Sequence, residues 1–128
     1  MKTFYLREIA HARAGDKGDT SNIGVIAYRP EFYSIILDQV TVDRVGRHFR
    51  GLVHGPITRY QLPNVHAINL VLERALGGGV TRSLSLDPHG KSYGALILTM
   101  AVMVNDEVAD LLVRQGRLPL DGSTSNAR

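Results

Sequence analysis

The first quarter of the chain has the hydrophobic pattern of two strands joined by a turn. Residues 2–11 alternate loosely, which predicts a half-buried strand. Residues 14–21, AGDKGDTS, combine glycine with short polar residues and predict a turn. Residues 22–28, NIGVIAY, are apolar and β-branched, so a second strand is predicted after the turn.

A helical spacing replaces this alternation in the next quarter. A helical region is predicted from Pro30, and a second helical piece is predicted to begin at Thr41 or Asp43, either of which can cap it. Residues 57–62 then predict a short strand that Pro63 ends.

The clearest helical pattern follows that strand. Asn64 is a suitable N-cap, and the next twelve residues carry one apolar face. This face comprises Val65, Ile68, Val71, Leu72, Ala75 and Leu76. Gly77–Gly79 are expected to end the helix, because glycine adopts the left-handed C-cap conformation.

The last third predicts a hairpin and a final helix. Residues 80–86 and the apolar run 91–104 are predicted as two strands, joined by a tight turn over residues 87–90. Residues 106–115 predict a helix.

This order of elements predicts the fold class and the domain organisation. Consecutive strands with few helices between them favour an α+β two-layer sandwich, with a mostly antiparallel sheet and helices on one face. The length of 128 residues suits one domain, predicted over residues 1–116. Residues 117–128 are polar and small, and are predicted to be a disordered tail.

The composition narrows the classes of function. The chain has no cysteine, which excludes disulfide frameworks, thiolate metal sites and cysteine nucleophiles. Its five histidines share no ligand spacing, so no metal is expected. No apolar run approaches the about 20 residues of a membrane span, and no signal peptide is recognisable, so we expect a cytoplasmic protein that binds no membrane. The net charge of +3 includes Arg44, Arg47 and Arg50, which indicate a solvated helix face rather than a nucleic-acid site.

The polar turn after the first strand is the first candidate for chemistry. Gly15 and Gly18 allow backbone N–H groups to converge on an anion, and Arg13 and Lys17 add positive charge. The two acids of the turn, at positions 16 and 19, either act as general acid and base or form ion pairs that stiffen the turn.

Two further segments are candidates for ligand binding. Arg59 has the geometry to hold a carboxylate bidentately near the predicted start of the helix at Asn64, or it is an ordinary edge-strand arginine. Asn69 lies at the border of the predicted apolar face. Gly77–Gly79 exceed what a C-cap needs, which indicates a close backbone or ligand contact.

Three segments together resemble a known family: HARAGDKGDTSNIGV, RYQLPNVHAINLVLERALGGGVTRSL and the turn from Asp87 to Lys91. They are similar to the small C-terminal domain of the acyclic terpene utilization protein AtuA family, over about residues 4–104. The resemblance implies a ferredoxin-like α+β fold. Ala14 stands where the family usually has serine, which removes a hydroxyl from the expected site, and Gln61 stands where an acid is common.

The resemblance also implies that the matching motif residues meet at one place. Asp16, Lys17 and Asp19 are the candidate catalytic residues. The candidate substrate- or anion-binding residues are Arg13, Gly15, Gly18, Asn22, Arg59, Tyr60, Asn64, Asn69, Gly78, Gly79 and Thr81.

Three functions are compatible with these residues. The first is an accessory subunit that acts with a separate AtuA-like large subunit in catabolism of branched, terpenoid-like or acyl-CoA-linked small acids. The second is a self-contained homo-oligomeric enzyme of the hydratase or isomerase type. The third is a non-catalytic module that binds a small acidic ligand. A homo-oligomer is expected in each case, with no cofactor beyond a CoA thioester as a candidate substrate.

Overall fold

The computed structural model describes residues 1–75 and 92–120. Six strands and four α-helices are assigned within these ranges. The strands are β1 (Lys2–Tyr5), β2 (Ala10–Lys17), β3 (Thr20–Ala27), β4 (Ile57–Leu62), β5 (Ala67–Leu72) and β6 (Ala101–Val104). The helices are α1 (Tyr33–Gln39), α2 (Val42–His48), α3 (Ser92–Ile97) and α4 (Asp106–Arg114), with short 3-10 turns at Leu6–Glu8, Pro30–Phe32 and Pro63–Val65.

An antiparallel four-stranded sheet in the order β2-β3-β5-β4 forms one layer. Alternate residues of its central strands are buried on one face, among them Ile23, Val25 and Leu70. Helices α1 and α3 pack against these strands, and α2 packs against β4. The core therefore lies between the sheet and the helices.

A second, two-stranded sheet closes the side of the core. β1 and β6 are antiparallel, with Phe4 opposite Val102, and both side chains are fully buried. β6 also packs on α1. The two-stranded sheet brings together segments that are far apart in sequence, because β1 begins at Lys2 and β6 ends at Val104.

Two helices begin at side-chain caps that the sequence contains. The Thr41 hydroxyl accepts a hydrogen bond from the Arg44 backbone N–H at the start of α2, which settles the choice between Thr41 and Asp43. The Asn105 side chain accepts from the Val108 N–H at the start of α4. Such bonds satisfy N–H groups that have no partner within the helix.

The prediction of a helix over residues 65–76 is wrong, because this segment forms the inner strand β5. Ile68 and Leu70 are fully buried at alternate positions, as in a strand, whereas Val65 of the predicted apolar face is 58% exposed. Neighbours on both sides, β3 and β4, supply the backbone hydrogen bonds of an inner strand. Asn64 lies in the 3-10 turn before β5 and caps no α-helix.

The prediction of one strand over residues 91–104 is also wrong. α3 occupies the first part of this run and β6 only its last four residues. A turn separates them, in which the backbone N–H groups of Thr99 and Met100 bond to Leu96 and Ile97. An apolar run with no alternation fits a buried helix and a buried strand equally well.

The first predicted strand and turn are also rearranged. Residues 2–11 contain β1, a 3-10 turn and the start of β2. β2 and β3 run through most of the predicted turn as a long hairpin, whose tip is Gly18 and Asp19. Gly18 has φ +62°, a conformation that glycine adopts without strain.

The fold class agrees with the prediction: an α+β sandwich with an antiparallel sheet and helices on one face. The predicted strand at 80–86, the turn at 87–90 and residues 121–128 of the predicted tail lie outside the described residues. Residues 117–120 lie beside β1, where the Leu120 N–H donates to the Thr3 carbonyl at 2.7 Å and Arg117 pairs with Glu8 at 3.0 Å. No helix in residues 1–75 and 92–120 is long and apolar enough to cross a bilayer.

Candidate functional site

The sheet surface turned away from the helices brings several predicted site residues together. Strand alternation and register place one row of side chains across all four strands, in the order Arg13, Gly24, Asn69 and Tyr60. We call this surface the outer face. Its residues are His11, Arg13, Gly15, Lys17, Thr20, Asn22, Gly24, Ile26, Thr58, Tyr60, Leu62, Ala67, Asn69 and Val71.

The adjacent row contains two more of the predicted residues. It runs from Gly15 through Asn22 and Val71 to Thr58. A Cβ atom at position 15 would lie 3.0 Å from the Asn22 Oδ1 atom, so glycine gives this amide its room. The glycines at positions 15 and 24 leave the outer face shallow between its polar side chains.

Four of the polar side chains in these two rows have no partner within the described chain. Arg13 and Asn22 are exposed, Asn69 is half-buried, and Tyr60 is 53% exposed. None of the four makes a side-chain hydrogen bond or ion pair in residues 1–75 and 92–120. In the free chain these donors and acceptors bond to water, so they are available to a ligand or to a second protein.

The structure separates the charges of the glycine-rich hairpin. Arg13 and Lys17 lie on the outer face, whereas Asp16 alternates to the opposite side and is exposed there. Asp19 lies at the tip, and its carbonyl accepts from the Ala75 N–H at 2.9 Å. The outer face carries no acid among its described residues. Of the three candidate catalytic residues, only Lys17 lies on the same surface as Arg13.

A buried phenol of the helix layer is influenced by the charge of Asp19. Tyr93 of α3 is fully buried, and its hydroxyl donates to the Ala75 carbonyl. Burial raises the pKa of the Tyr93 phenol, and the negative charge of Asp19 raises this pKa further. Asp19 therefore lies close enough to influence a buried phenol on the core side of the hairpin.

Arg59 is the clearest predicted site residue with a structural role. Its Nη1 atom donates to the carbonyls of Leu37 and Val40, at 2.8 and 2.9 Å. These carbonyls belong to the C-terminal end of α1, where a cation is favourable. Arg59 thus holds α1 onto β4, on the face opposite Arg13.

The remaining predicted residues are spread over different places. Asn64 is exposed at the turn between β4 and β5, the end of the sheet away from the hairpin tip. Gly18 forms that tip. Gly78, Gly79 and Thr81 lie outside the described residues.

The serine-to-alanine difference at position 14 lies away from the outer face. A Cβ atom at Gly94 of α3 would lie 3.5 Å from the Ala14 Cβ atom, so residue 14 packs against this helix. A hydroxyl at this position would face α3 and would not contribute to the outer face.

Sequence reasoning missed the apolar part of the outer face. Leu62 is 44% exposed, and Ile26 and Val71 are half-buried. At the edge of this face, Tyr28 is 50% exposed and stacks on His11, with ring centroids 5.4 Å apart. Ile26 alternates with the buried residues of β3, and Val71 alternates with those of β5. This alternation identifies them as outer-face residues once both segments are assigned as strands.

Three cavities lie among the described residues, away from the outer face. One cavity, of about 730 Å³, lies between the end of β1 and the C-terminal segment, and the Arg117–Glu8 pair lines it. Two smaller ones lie beside α2 and between α1 and α4. No outer-face residue lines any of these three cavities. Residues 1–75 and 92–120 also contain no group of three histidine or acidic side chains that could hold a metal ion.

Comparison with known proteins identifies the family. The model of the AtuA ferredoxin-like domain matches residues 4–103, which include the second half of β1, all of β2 to β5 and α1 to α3, and most of β6. The comparison with curated proteins and the comparison with solved structures find no match. The match covers most of the chain and contains the whole outer face. The chain therefore belongs to the AtuA ferredoxin-like domain family.

Proposed function

We propose that this chain is an accessory subunit that docks through its outer face onto an AtuA-like large subunit. The complex would act in the cytoplasm, in catabolism of branched, terpenoid-like or acyl-CoA-linked small acids. The single observation that carries the proposal is the group of unpartnered polar side chains on an open sheet face in a member of this family. An open sheet face that lines none of the three cavities in the described residues is better suited to a second protein than to enclosing a small substrate alone.

The composition of the outer face supports a protein partner. Tyr60 and Arg13 are of the residue types enriched at the centres of interfaces. Leu62 and Ile26 supply apolar surface around them. The mixture of apolar and unpaired polar groups is that of a surface which becomes buried in a complex and remains soluble without it.

In the complex, the cations of the outer face would contribute to ligand binding. Arg13 has the planar geometry for a carboxylate or phosphate, and Lys17 adds a point charge on the same strand. Asn22 and Asn69 offer amide groups to the same ligand or to the partner backbone. A CoA thioester or a small acid carries the negative groups that these residues bind.

The separation of the hairpin charges favours this proposal over a self-contained enzyme. A general acid or base must come within hydrogen-bonding reach of the reacting group. Asp16 lies on the opposite side of β2 from Arg13 and Lys17, so this acid does not face the outer-face cations. The reacting centre would therefore be supplied by the large subunit.

Copurification tests the proposal. The untagged chain, isolated gently from its own organism, is expected to carry an AtuA-like large subunit in native mass spectrometry. With the two components mixed, Arg13→Ala and Tyr60→Ala are expected to weaken the complex by about tenfold or more, as truncation of interface residues does. Exposed Arg50→Ala, away from the outer face, is the matched control.

Stability measurements separate docking from folding. Arg13→Ala should leave urea unfolding unchanged, because its side chain has no partner within the described chain. Arg59→Ala should lower the free energy of unfolding by about 1–3 kcal/mol, since it leaves two α1 carbonyls without their donor. Recovery of the chain with no large subunit, or a complex that tolerates both outer-face variants, would contradict the proposal.

A further inference from the structure

Strand edges are the places where a sheet can add another strand, and the structure closes one edge with side chains. On the free edge of β6, the Gln39 side chain bonds the Met103 N–H and carbonyl, at 2.8 and 2.7 Å. Arg44 donates to the Ala101 carbonyl at 2.7 Å. The amide of Gln39 thus replaces a neighbouring strand, and no further strand can pair there.

The free edges of β1 and β2 are covered by other parts of the described chain. On β1, the Thr3 carbonyl accepts from the Leu120 N–H. On β2, helix α3 lies against the edge, since a Cβ atom at Gly94 would be 3.7 Å from the Ala14 nitrogen. Both contacts obstruct the approach of another chain.

The outer edge of β4 differs from these three. The Glu73 N–H bonds to the Pro56 carbonyl, which fixes the hydrogen-bond phase of the β4–β5 ladder. Thr58 and Tyr60 then bond toward β5, and the backbone groups of the alternate residues point outward. These outward residues are Ile57, Arg59 and Gln61, and their backbone groups have no other partner in the described chain.

We propose that β4 is a dimerisation edge, on which β4 of a second copy pairs antiparallel about a two-fold axis at Arg59. This axis matches every outward N–H and carbonyl of one copy to those of the other: Arg59 lies opposite Arg59, and Ile57 lies opposite Gln61. An antiparallel strand is its own complement under two-fold symmetry. Pro56 and Pro63 flank β4 and limit the pairing to this short segment.

The side chains of β4 are compatible with this pairing. The strand contains one charged residue, Arg59, and its guanidinium is directed onto the α1 carbonyls rather than along the edge. On the outer face, Thr58 would lie opposite Tyr60 of the second copy, a favourable pair of a β-branched and an aromatic residue. β4 thus carries none of the lysines or prolines within the strand that protect edges against self-pairing.

Pairing would make one continuous sheet from the two copies. Their outer faces would lie side by side, and the helix layers would lie together on the other side. The inference does not depend on docking to a large subunit, because it uses only the edge of β4.

Sedimentation equilibrium with proline and threonine variants tests the edge. The chain is expected to dimerise in the micromolar to millimolar range. Gln61→Pro removes an outward N–H without breaking the ladder to β5, and is expected to weaken the dimer by about tenfold or more. Gln61→Thr keeps the N–H and should dimerise as the wild type does. A monomer at every concentration, or a dimer that Gln61→Pro leaves unchanged, would overturn the proposal.

Cross-linking checks the register in a chain that keeps the native edge. The sequence has no cysteine, so introduced thiols report only on their own positions. Position 58 of one copy would lie directly opposite position 60 of the other. This pair would exchange no backbone hydrogen bonds, and its Cβ atoms would be about 5 Å apart. The double variant Thr58→Cys, Tyr60→Cys should form an oxidised dimer, whereas each single variant should not. Equal cross-linking of a single variant would contradict this register and the axis at Arg59.

Discussion

At the scale of single residues, two glycines differ in the room that the structure leaves for a side chain. Gly46 lies inside α2, and a Cβ atom there would lie 3.7 Å from the Ile57 Cδ1 atom, an ordinary contact. At Gly55 the Cβ atom would lie 2.6 Å from the Glu73 carbonyl oxygen. This close approach belongs to the bond from the Gly55 N–H to the same oxygen. Sterics therefore require glycine at position 55, whereas the described contacts leave room for a Cβ atom at position 46.

The two glycines therefore predict alanine substitutions of opposite sign. Gly46→Ala is expected to raise the free energy of unfolding by about 0.5–1 kcal/mol, because it favours the helix without a clash. Gly55→Ala is expected to lower it by about 1–3 kcal/mol, since the backbone of Glu73 must move. Urea unfolding at neutral pH measures both changes. The same sign for the two variants would contradict this explanation.

Tyr93 predicts a loss of stability at alkaline pH. Burial, with the charge of Asp19, raises the pKa of Tyr93 in the folded chain above the value of about 10 in the unfolded chain. The stabilisation that comes from the neutral phenol is therefore complete below about pH 10 and is lost as the pH rises through and above this value. In urea unfolding, the stability advantage of the wild type over Tyr93→Phe should stay constant below about pH 10 and should shrink as the pH rises above it. A difference that is constant with pH would contradict the assignment.

At the scale of elements, the sequence predicts those helix starts and strand ends that depend on residues close together in the chain. Thr41, one of the two predicted caps, lies at the start of α2, the helix predicted over residues 106–115 is α4, and Pro63 follows the end of β4. The apolar residues of β5 fit both a helical period of 3.6 and a strand period of 2. The sequence pattern therefore predicts a helix where the structure has a strand. Only the pairing with β3 and β4, which are distant in sequence, decides between the two periods.

The candidate site was predictable in part for the same reason. The motif residues Arg13, Asn22, Asn69 and Tyr60 were identified from the sequence, and the structure places them in adjacent rows. Their common face follows only when β5 is a strand, since a helix would direct Asn69 elsewhere. Arg59 has the residue type of an anion site, but its position opposite α1 is a tertiary fact that no local pattern contains.

The side-chain closure of β6 gives a prediction at this scale. Gln39→Ala removes both bonds to Met103 and should lower the free energy of unfolding by about 1–2 kcal/mol. It also exposes a strand edge, so aggregation during refolding should increase. The control is Asp38→Ala, an exposed neighbour, which should change stability by less than about 0.5 kcal/mol. Light scattering during refolding, together with urea unfolding, measures both effects. Equal behaviour of the two variants would show that Gln39 does not protect the edge.

At the scale of the whole molecule, the sandwich has two unlike surfaces. Its helix side carries Asp16, and Arg59 and Gln39 there bond to backbone groups of the chain itself. Its outer face carries cations, amides and apolar residues with no acid among the described positions. The net charge of the chain is +3, and the described residues of the outer face carry positive charge only. This face should therefore attract a negatively charged partner.

This asymmetry predicts how the proposed complex responds to salt. Attraction between the outer face and an acidic partner surface should raise the association rate, and added salt should screen it. The double variant Arg13→Gln, Lys17→Gln should therefore show a smaller decrease of the association rate with ionic strength than the wild type. The double variant Arg50→Gln, Arg114→Gln removes the same charge from exposed positions off the outer face and should keep most of the wild-type slope. Stopped-flow association with the large subunit at several salt concentrations measures the slopes. If both doubles flatten the slope equally, net charge rather than the outer face steers the encounter.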